Sequence, residues 1–509
     1  MIKNRRRTDN NFIYVILIGI LTTLYLNTNV QDPINSPKLW ILTLSIPISF
    51  SFFVTHLKKL SDVKNEFYLI LFFLSSQVIA FFFTENLYVG FFGDSQRKNG
   101  LLTYFALCLI WLLTVVTYSY NKISQIKTYI LLMSFILGLY GFLQSLGKDF
   151  IKWQNPYNQV ILTVGNPNFS AALLAILICF IFPNLFIKSG NKIRLLNLVT
   201  LFLVWSLLLY VMLKTEAKQG ILASAAGLIA SLYFLYFNKN KKRQFLYCFA
   251  SVGILLFSVL GMLQKGPLSS FLYKDSVSVR GYYWRAAIKM FESNPVVGVG
   301  LDSYLYYFKQ FREVGYPLKY GYQITSSNAH NLYLQFFATG GLLLGVAFLA
   351  IVVYTFNRAI KAINNSDGTN QLFLIGIFSS WIAYLAQALI SIDNLGNSIW
   401  GWIFSGILIA AAKETGPNQI LNDKKVKKIQ GLEVFRSLTA LILLIPTIYL
   451  VSKMYWSERS AYVARGMIGS GQIDQQFLDR VLNDNLVDTN YKVLIASDLF
   501  RGNNRNIAI

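Results

Sequence analysis

Charged residues are scarce in this chain. They make up 14% of its 509 residues, whereas hydrophobic residues make up 54%. A soluble globular protein cannot remove so large an apolar fraction from water, so this balance excludes that class and indicates an integral membrane protein. The few charges are also unbalanced, with 23 Asp and Glu against 46 Lys and Arg.

Cysteine and histidine are also few. The cysteines, Cys108, Cys179 and Cys248, all fall within apolar stretches, where a thiol behaves as a small apolar group. No disulfide framework or metal cluster is visible, so we expect no metal and no cofactor. Gly298 and Gly300 lack the third glycine of a dinucleotide-binding loop, and no G-x-S-x-G elbow of a serine hydrolase occurs.

The hydrophobic residues are gathered in stretches long enough to cross a hydrocarbon core of about 30 Å. Thirteen stretches occur, near 11–30, 38–56, 66–84, 101–120, 128–146, 169–187, 195–213, 219–237, 246–264, 332–357, 371–392, 398–412 and 435–452. The twelfth stretch has the weakest apolar character. We therefore predict an all-α polytopic membrane protein with 12–13 transmembrane helices. The first stretch follows a basic segment without a small-residue cleavage site, so we interpret it as a retained span.

The net charge of +23 raises the question of nucleic-acid binding, which the position of the basic residues answers. Half of the 46 Lys and Arg residues lie in alternate loops that would face the cytoplasm if the amino terminus is inside. The short outward loops hold only Lys38, Arg97, Lys98, Lys148, Lys152, Lys214 and Lys218. The basic excess thus indicates topology rather than nucleic acid, with the carboxy terminus outside the cytoplasmic membrane. In this topology His56 and His330 lie on opposite faces, which excludes a metal site built from both.

Two regions interrupt the pattern of spans. The extracytoplasmic loop 265–331 precedes span ten, and within it residues 276–295 predict a helix with Tyr283, Ala287 and Met290 on one face, ended by Pro295. We expect this aromatic and basic helix to lie along the membrane surface. Residues 1–452 thus form the transmembrane core, and 453–509 form an extracytoplasmic helical tail that could begin a series of helical repeats.

The outward loops carry specific polar groups. Arg97 lies just before span four between glycines that permit a tight turn, and Asn166 with Pro167 predicts a capped helix start whose N–H groups could face an anion. Lys218 lies in the short outward loop between spans seven and eight. Arg280 and Arg285 could each bind a phosphate through a bidentate fork. Each of these residues also has a purely structural interpretation. Arg97 could anchor a span, Asn166 could mark a plain helix start, and Lys218 could extend its ammonium to the membrane surface.

His330 is the strongest candidate for chemistry, because it lies where the long polar loop re-enters an apolar helix. Ser326, Ser327 and Asn328 are candidate caps, which would place His330 in the first turn of span ten. There the positive helix end would disfavour the imidazolium. A neutral imidazole can accept a proton from a hydroxyl. The structural alternative is a histidine that only makes hydrogen bonds.

Four segments, in this order, carry a resemblance to a known family. They are GFFGDSQRKNGLLTY at 90–104, GNPNF at 165–169, RGYYWRAAIKMFESNPVVGVGLDSY at 280–304 and AHNLYLQFFATGGLLLG at 329–345. Together they resemble the O-antigen ligase superfamily, over about residues 10–450. That family has a multi-span core with a large outer loop between two late spans.

The resemblance implies transfer of a glycan from an undecaprenyl-diphosphate-linked donor to an acceptor hydroxyl, with membrane lipids as surroundings and without metal or nucleic acid. By matching motifs, His330 takes the place of the catalytic histidine and Arg280 that of the loop arginine that holds the diphosphate. Lys218 stands where the family usually has an arginine, which keeps the charge but loses the bidentate fork. Arg97 is expected to assist with the diphosphate. The expected supporting residues are Asn331, Asn166, Asn168 and Trp284.

Three functions remain open from the sequence. The first is a glycan ligase or oligosaccharyltransferase acting on a lipid or protein acceptor. The second is a polysaccharide polymerase of the same superfamily, for which the acceptor is a glycan. The third is a non-catalytic transporter of lipid-linked glycans, which the near absence of charge within the spans disfavours in its ion-coupled form. The outer tail favours the first function, because it could present or recognise an acceptor.

Overall fold

The computed structural model describes residues 11–55, 62–153, 159–187, 192–262, 265–272, 275–414 and 430–501. All of their long regular elements are helices, which confirms the all-α prediction. The α-helices are α1 (Asn11–Leu24), α2 (Asn35–Thr55), α3 (Lys64–Phe82), α4 (Leu87–Phe92), α5 (Leu101–Thr117), α6 (Ile123–Ser145), α7 (Pro167–Asn184), α8 (Lys192–Lys214), α9 (Lys218–Leu232), α10 (Lys241–Met262), α11 (Ser269–Leu272), α12 (Asp275–Ser293), α13 (Tyr304–Phe311), α14 (Gly315–Tyr320), α15 (Leu332–Asn364), α16 (Gly368–Ala388), α17 (Leu395–Glu414), α18 (Gln430–Ser470), α19 (Gln475–Asn483) and α20 (Thr489–Arg501). His56 lies outside the described residues.

Helices occupy all thirteen predicted spans. In the described part of the chain, ten helices are long and apolar enough to cross a membrane, and α1, α5 and α10 fill the remaining three positions. The twelfth span, the weakest by sequence, is α17, and residues 395–412 of this helix are all buried. Its weak apolar signal has a physical reason: α17 packs on α1, α5, α15 and α16 and faces protein rather than lipid.

The tightest helix packing joins α7, α9 and α16. Gly220 and Gly227 on α9 let its backbone approach closely, as is typical of membrane helices. A Cβ at Gly227 would lie 2.5 Å from both Cys179 Sγ and the backbone oxygen of Ser379. This position therefore has no room for a side chain.

The loops meet at two opposite ends of the helix bundle. At one end, Lys413 Nζ lies 2.7 Å from Glu66 Oε2, between α17 and α3. At the other end, Asn99 Nδ2 donates to Asp393 O at 2.8 Å and Gln219 Nε2 donates to Asn168 O at 2.7 Å. We call this second end the site end. It gathers the loops that the sequence predicts to face outward, while the orientation in the membrane stays a prediction.

The long loop before span ten has its own small core. Helix α12 matches the predicted helix, and Tyr283, Ala287 and Met290 are buried together with Tyr304 and Phe308, which confirms the predicted face. The loop then returns along α12 and packs α12 against α15.

Helix α15 is broken at Gly341, which has φ 62° and ψ −159°. The segment that follows α12 fills the break. Leu342 N donates to Pro295 O at 2.7 Å, and a Cβ at Gly341 would lie 2.3 Å from the carbonyl group of Val296. Glycine is required here, because the left-handed backbone and the close approach both exclude a side chain.

The tail is helical, and it begins without a break. Helix α18 runs continuously through the expected boundary at 452 and 453 to Ser470. Its second half packs against α19 and α20 around a separate core. That core contains Ala461, Ala464, Leu478, Val481, Val487, Tyr491, Ile495 and Leu499. The division into domains and the helical repeats stay predictions.

We expect Gly227→Val to destabilise the protein by about 1–3 kcal/mol, because the new side chain overpacks the contact with Cys179 and Ser379. The matched control is Gly253→Val on α10, where an added Cβ meets nothing within 4 Å. Thermal unfolding in detergent measures both. Equal midpoints for the two variants would contradict the tight packing of α7, α9 and α16.

Candidate active site

Helix α12 presents two groups to His330. Residues three apart on a helix share a face, and Arg280 and Tyr283 have this spacing. The ring of Tyr283 stacks on the His330 imidazole, with centroids 5.2 Å apart and planes at 25°. Arg280 is 9% exposed, and its charge acts on the same imidazole. The structure thus brings together the two residues that the resemblance assigns to the chemistry.

The loop before α15 holds His330 in a left-handed conformation, with φ 52°. The backbone N–H of His330 donates to Asn328 Oδ1 at 2.9 Å, and Ala329 N donates to Gln335 Oε1 at 2.9 Å. Asn328 thereby fixes a turn that a residue with a side chain adopts only when its neighbours enforce it.

One sequence prediction about His330 is wrong. The residue does not lie in the first turn of the helix, because α15 begins at Leu332. The cap is Asn331, whose Oδ1 accepts from Leu334 N at 3.0 Å, rather than Ser326, Ser327 or Asn328. Asn331 therefore supports the site by fixing the helix start directly after His330.

His330 is neutral. Its pKa is lowered from the ordinary value to about 3, first by burial and then by the positive charges of Arg280 and Arg97. Both arginines therefore lie within electrostatic range of the imidazole. The neutral form that the sequence analysis expected is present, although its principal cause is burial and not the helix end.

Arg97 lies in a tight loop between α4 and α5. Gly93 has φ 88°, and a Cβ at Gly100 would lie 2.3 Å from Gly93 N, so both glycines are required for the turn. The guanidinium lies over the ring of Phe169, 5.6 Å from its centroid. Its Nε is buried without a hydrogen-bond partner. Phe169 is in the first turn of α7, so Arg97 contacts the α7 start while its charge acts on His330.

The start of α7 matches its prediction. Asn166 is the N-cap, its side chain accepts from Asn168 N at 2.8 Å, and Pro167 occupies the first turn. Lys218 begins α9, and the next residue, Gln219, donates to Asn168 O. Lys218 therefore lies beside the α7 start, whereas the charges that act on His330 are those of Arg280 and Arg97.

Arg280 and Arg285, which the sequence predicts equally as phosphate ligands, have different surroundings. Arg285 pairs with Glu313 at 2.8 Å, and both side chains are partly exposed. Arg280 is buried, and no carboxylate of the described residues pairs with it. A buried cation without a partner is costly, so Arg280 is the arginine that an anionic ligand would stabilise. Trp284 follows Tyr283, and its Nε1 is buried without a hydrogen-bond partner.

Sequence reasoning missed two features next to the histidine. The first is the stacking of Tyr283, which the helical pattern identified only as a core residue. The second is a cavity of about 10 Å³, room for one water molecule, behind the histidine loop. Its lining includes Asp302 and Asp393, and burial raises the pKa of both, that of Asp393 to about 6. No local pattern in the sequence distinguishes these two acids.

No group of three or more His, Cys, Asp or Glu side chains in the described ranges could hold a metal ion. The site offers a neutral imidazole beside two guanidinium groups. An imidazole can take a proton, and the guanidinium groups can hold a phosphate or diphosphate.

Replacing Arg280 should raise the pKa of His330, because one of the two cations that disfavour the imidazolium is removed. In His56→Gln protein, His330 is the only histidine, so NMR of labelled histidine reports it directly. We expect a higher pKa after Arg280→Gln and no change after Arg285→Gln, because Arg285 is paired with Glu313. An unchanged pKa after Arg280→Gln would show that the two residues are not coupled.

Residues 201–349 match the protein family described as O-Antigen ligase. The match spans α8 to the first half of α15 and contains Lys218, Arg280, Trp284 and His330. A search of curated proteins finds no match. The stacked His330, the buried Arg280 and the long loop that joins them thus lie in the matched region, and this match supports membership of the O-antigen ligase superfamily, which the sequence motifs resemble.

Proposed function

We propose that this protein transfers a glycan from an undecaprenyl-diphosphate-linked donor to an acceptor hydroxyl at the outer face of a bacterial cytoplasmic membrane. The observation that carries the proposal is the buried Arg280, without a carboxylate partner in the described residues, beside a neutral His330. This arrangement supports binding of an anion directly next to a base.

The anion is proposed to be the diphosphate of the donor. Arg280 can offer a bidentate fork to one phosphate, and the unpartnered Nε of Arg97 offers a further donor. The start of α7, capped by Asn166, and Lys218 beside it would add positive potential on the same side. Lys218 would act as a point charge, so Arg280 and Arg97 carry the directional contacts.

Donor binding would also switch the base on. A pKa of about 3 makes free His330 a weak base at neutral pH, and both cations contribute to that low value. A bound diphosphate offsets their charge, which removes their effect on the imidazole and raises its pKa. His330 would thus gain basicity when the donor is bound, so the base would be strongest when a leaving group is in place.

In the proposed reaction, His330 takes the proton of the acceptor hydroxyl as the oxygen attacks the anomeric carbon of the donor sugar. The bond from that carbon to the phosphate oxygen breaks, and its electron pair leaves with the diphosphate. Arg280 and Arg97 stabilise the charge on the leaving group. A single displacement of this kind inverts the anomeric centre. Tyr283, stacked on the imidazole, would fix the orientation of the ring.

The distribution of basic loops supports the orientation in this proposal. In the sequence, the loops rich in Lys and Arg alternate with those that the structure gathers at the site end, and positive loops remain cytoplasmic. The site end would then face outward, where lipid-linked glycans are presented. The exposed apolar side chains of α10, such as Phe245 and Phe249, are suited to contact with lipid.

His330→Ala should lower transfer by about 10²–10⁴-fold, the usual contribution of a general base. The assay is glycan transfer by purified protein from an undecaprenyl-diphosphate-linked oligosaccharide to lipid, protein and glycan acceptors. His56→Ala is the control for loss of a histidine. Transfer that survives in His330→Ala would overturn the assignment, and the acceptor used by the wild type separates a ligase from a polymerase.

Arg280→Ala should lower transfer by about 10²–10³-fold, because a preorganised contact to the leaving group is lost. The matched control is Arg285→Ala on the same helix, where an exposed arginine paired with Glu313 is removed. We expect the control to transfer at the rate of the wild type. Equal losses in the two variants would contradict a specific diphosphate contact at Arg280.

A further inference from the structure

Glu458 is a buried carboxylate that joins the tail to the core. It lies on α18, beyond the expected end of the transmembrane core. Its oxygens accept from Asp32 N at 2.9 Å, Ser36 Oγ at 2.6 Å and Tyr491 OH at 3.0 Å. Lys98 Nζ lies 3.0 Å from Oε1. One carboxylate therefore ties α20 to two loops of the site end.

Lys98 is the neighbour of Arg97 in the chain. Its backbone is left-handed, with φ 59°, so its side chain and that of Arg97 are fixed by one tight turn. The ammonium also lies over the ring of Tyr491, 5.5 Å from the centroid. Both side chains of the pair with Glu458 are about 95% buried, at 4% and 5% exposure.

The loop of residues 93–100 is held from both sides. On the side of the histidine, Asp94 N donates to Asp302 Oδ2 at 2.6 Å and Asn99 Nδ2 donates to Asp393 O at 2.8 Å. On the side of the tail, the ion pair of Lys98 is the principal contact, joined by Asn490 Nδ2 to Ser95 Oγ at 3.3 Å. The position of Arg97 depends on both sets of contacts.

We propose that the helical tail is a clamp on the loop of residues 93–100, and that Glu458 is the positioning residue that directs Arg97 towards the diphosphate through Lys98. This role rests on the proposed function of the site, which it deepens. Glu458 acts only through the loop and touches neither the donor nor His330.

Removal of the Glu458 carboxylate would move the loop of residues 93–100. Breaking a buried ion pair on one side leaves an uncompensated buried charge, which is strongly unfavourable. After loss of Glu458, the Lys98 ammonium loses its ion-pair partner and keeps only the longer-range charges of Asp488 and Asp32. The turn that holds Lys98 also holds Arg97. An ion pair confined to the tail has no such effect. Arg465 and Asp498, 2.6 Å apart and partly exposed, form such a pair.

The first test is kinetic. Glu458→Ala should lower kcat/KM for the donor by about 10²-fold, the scale of one lost contact to the leaving group, and raise its KM. Arg465→Ala, which breaks the tail pair, should leave both unchanged. In an Arg97→Ala background, Glu458→Ala should cause little further loss, because its effect passes through Arg97. Additive losses would overturn the clamp, because they would show a general effect on folding.

A double variant distinguishes an effect of the ion pair from a general loss of folding. Lys98→Met with Glu458→Gln removes both charges of the ion pair together, so neither partner of the pair is left charged without the other. We expect it to regain most of the transfer lost in Glu458→Ala. A double variant that is folded by its elution and unfolding midpoint, yet as inactive as Glu458→Ala, would overturn the role of the ion pair.

Hydrogen–deuterium exchange tests the clamp without any transfer assay. Exchange of residues 94–99 should rise in Glu458→Ala and stay at the wild-type rate in Arg465→Ala. If the wild type transfers no glycan while exchange rises, the proposed function fails and the clamp stands. If the wild type transfers and Glu458→Ala changes neither exchange nor kinetics, the clamp fails and the proposed function stands.

Discussion

Two guanidinium groups beside a neutral imidazole govern the site end of this molecule. Arg280 has no carboxylate partner in the part of the chain described, and the Nε of Arg97 has no acceptor. Such charges are tolerated only where a rigid surrounding structure holds them. Asp94, Asp32 and Asp302 act on the charge of Arg97, whereas no carboxylate of the described residues acts on that of Arg280. Arg280 is therefore the cation that keeps the site electropositive.

The sequence predicts the helices well, because hydrocarbon allows few other structures to cross it. Every apolar stretch is a helix, and the helix of the long loop has the predicted buried face. The weak stretch at 398–412 is instructive. Its polar and small residues lower its hydropathy because α17 is surrounded by other helices, so a low value there reflects a central position and not a doubtful span.

The site was predictable in its residues but not in its geometry. The sequence indicates His330, Arg280 and the cap at Asn166, since each has a local pattern. It places His330 too far into the helix, because Ser326, Ser327 and Asn328 are also good capping residues, whereas the cap is Asn331. The left-handed backbone of His330 leaves no mark in the sequence. The Tyr283 stack and the Lys98 pair with Glu458 join residues far apart in the chain, which local patterns do not record.

The break at Gly341 separates a short first segment of α15 from the long second one. That first segment starts directly after His330, and the break is filled by residues 295–296, which directly follow the helix that carries Arg280. Histidine and arginine are thus held in one packed unit, because the segment between them closes on the break in the helix that follows the histidine. A side chain at Gly341 would therefore displace the base and the cation together.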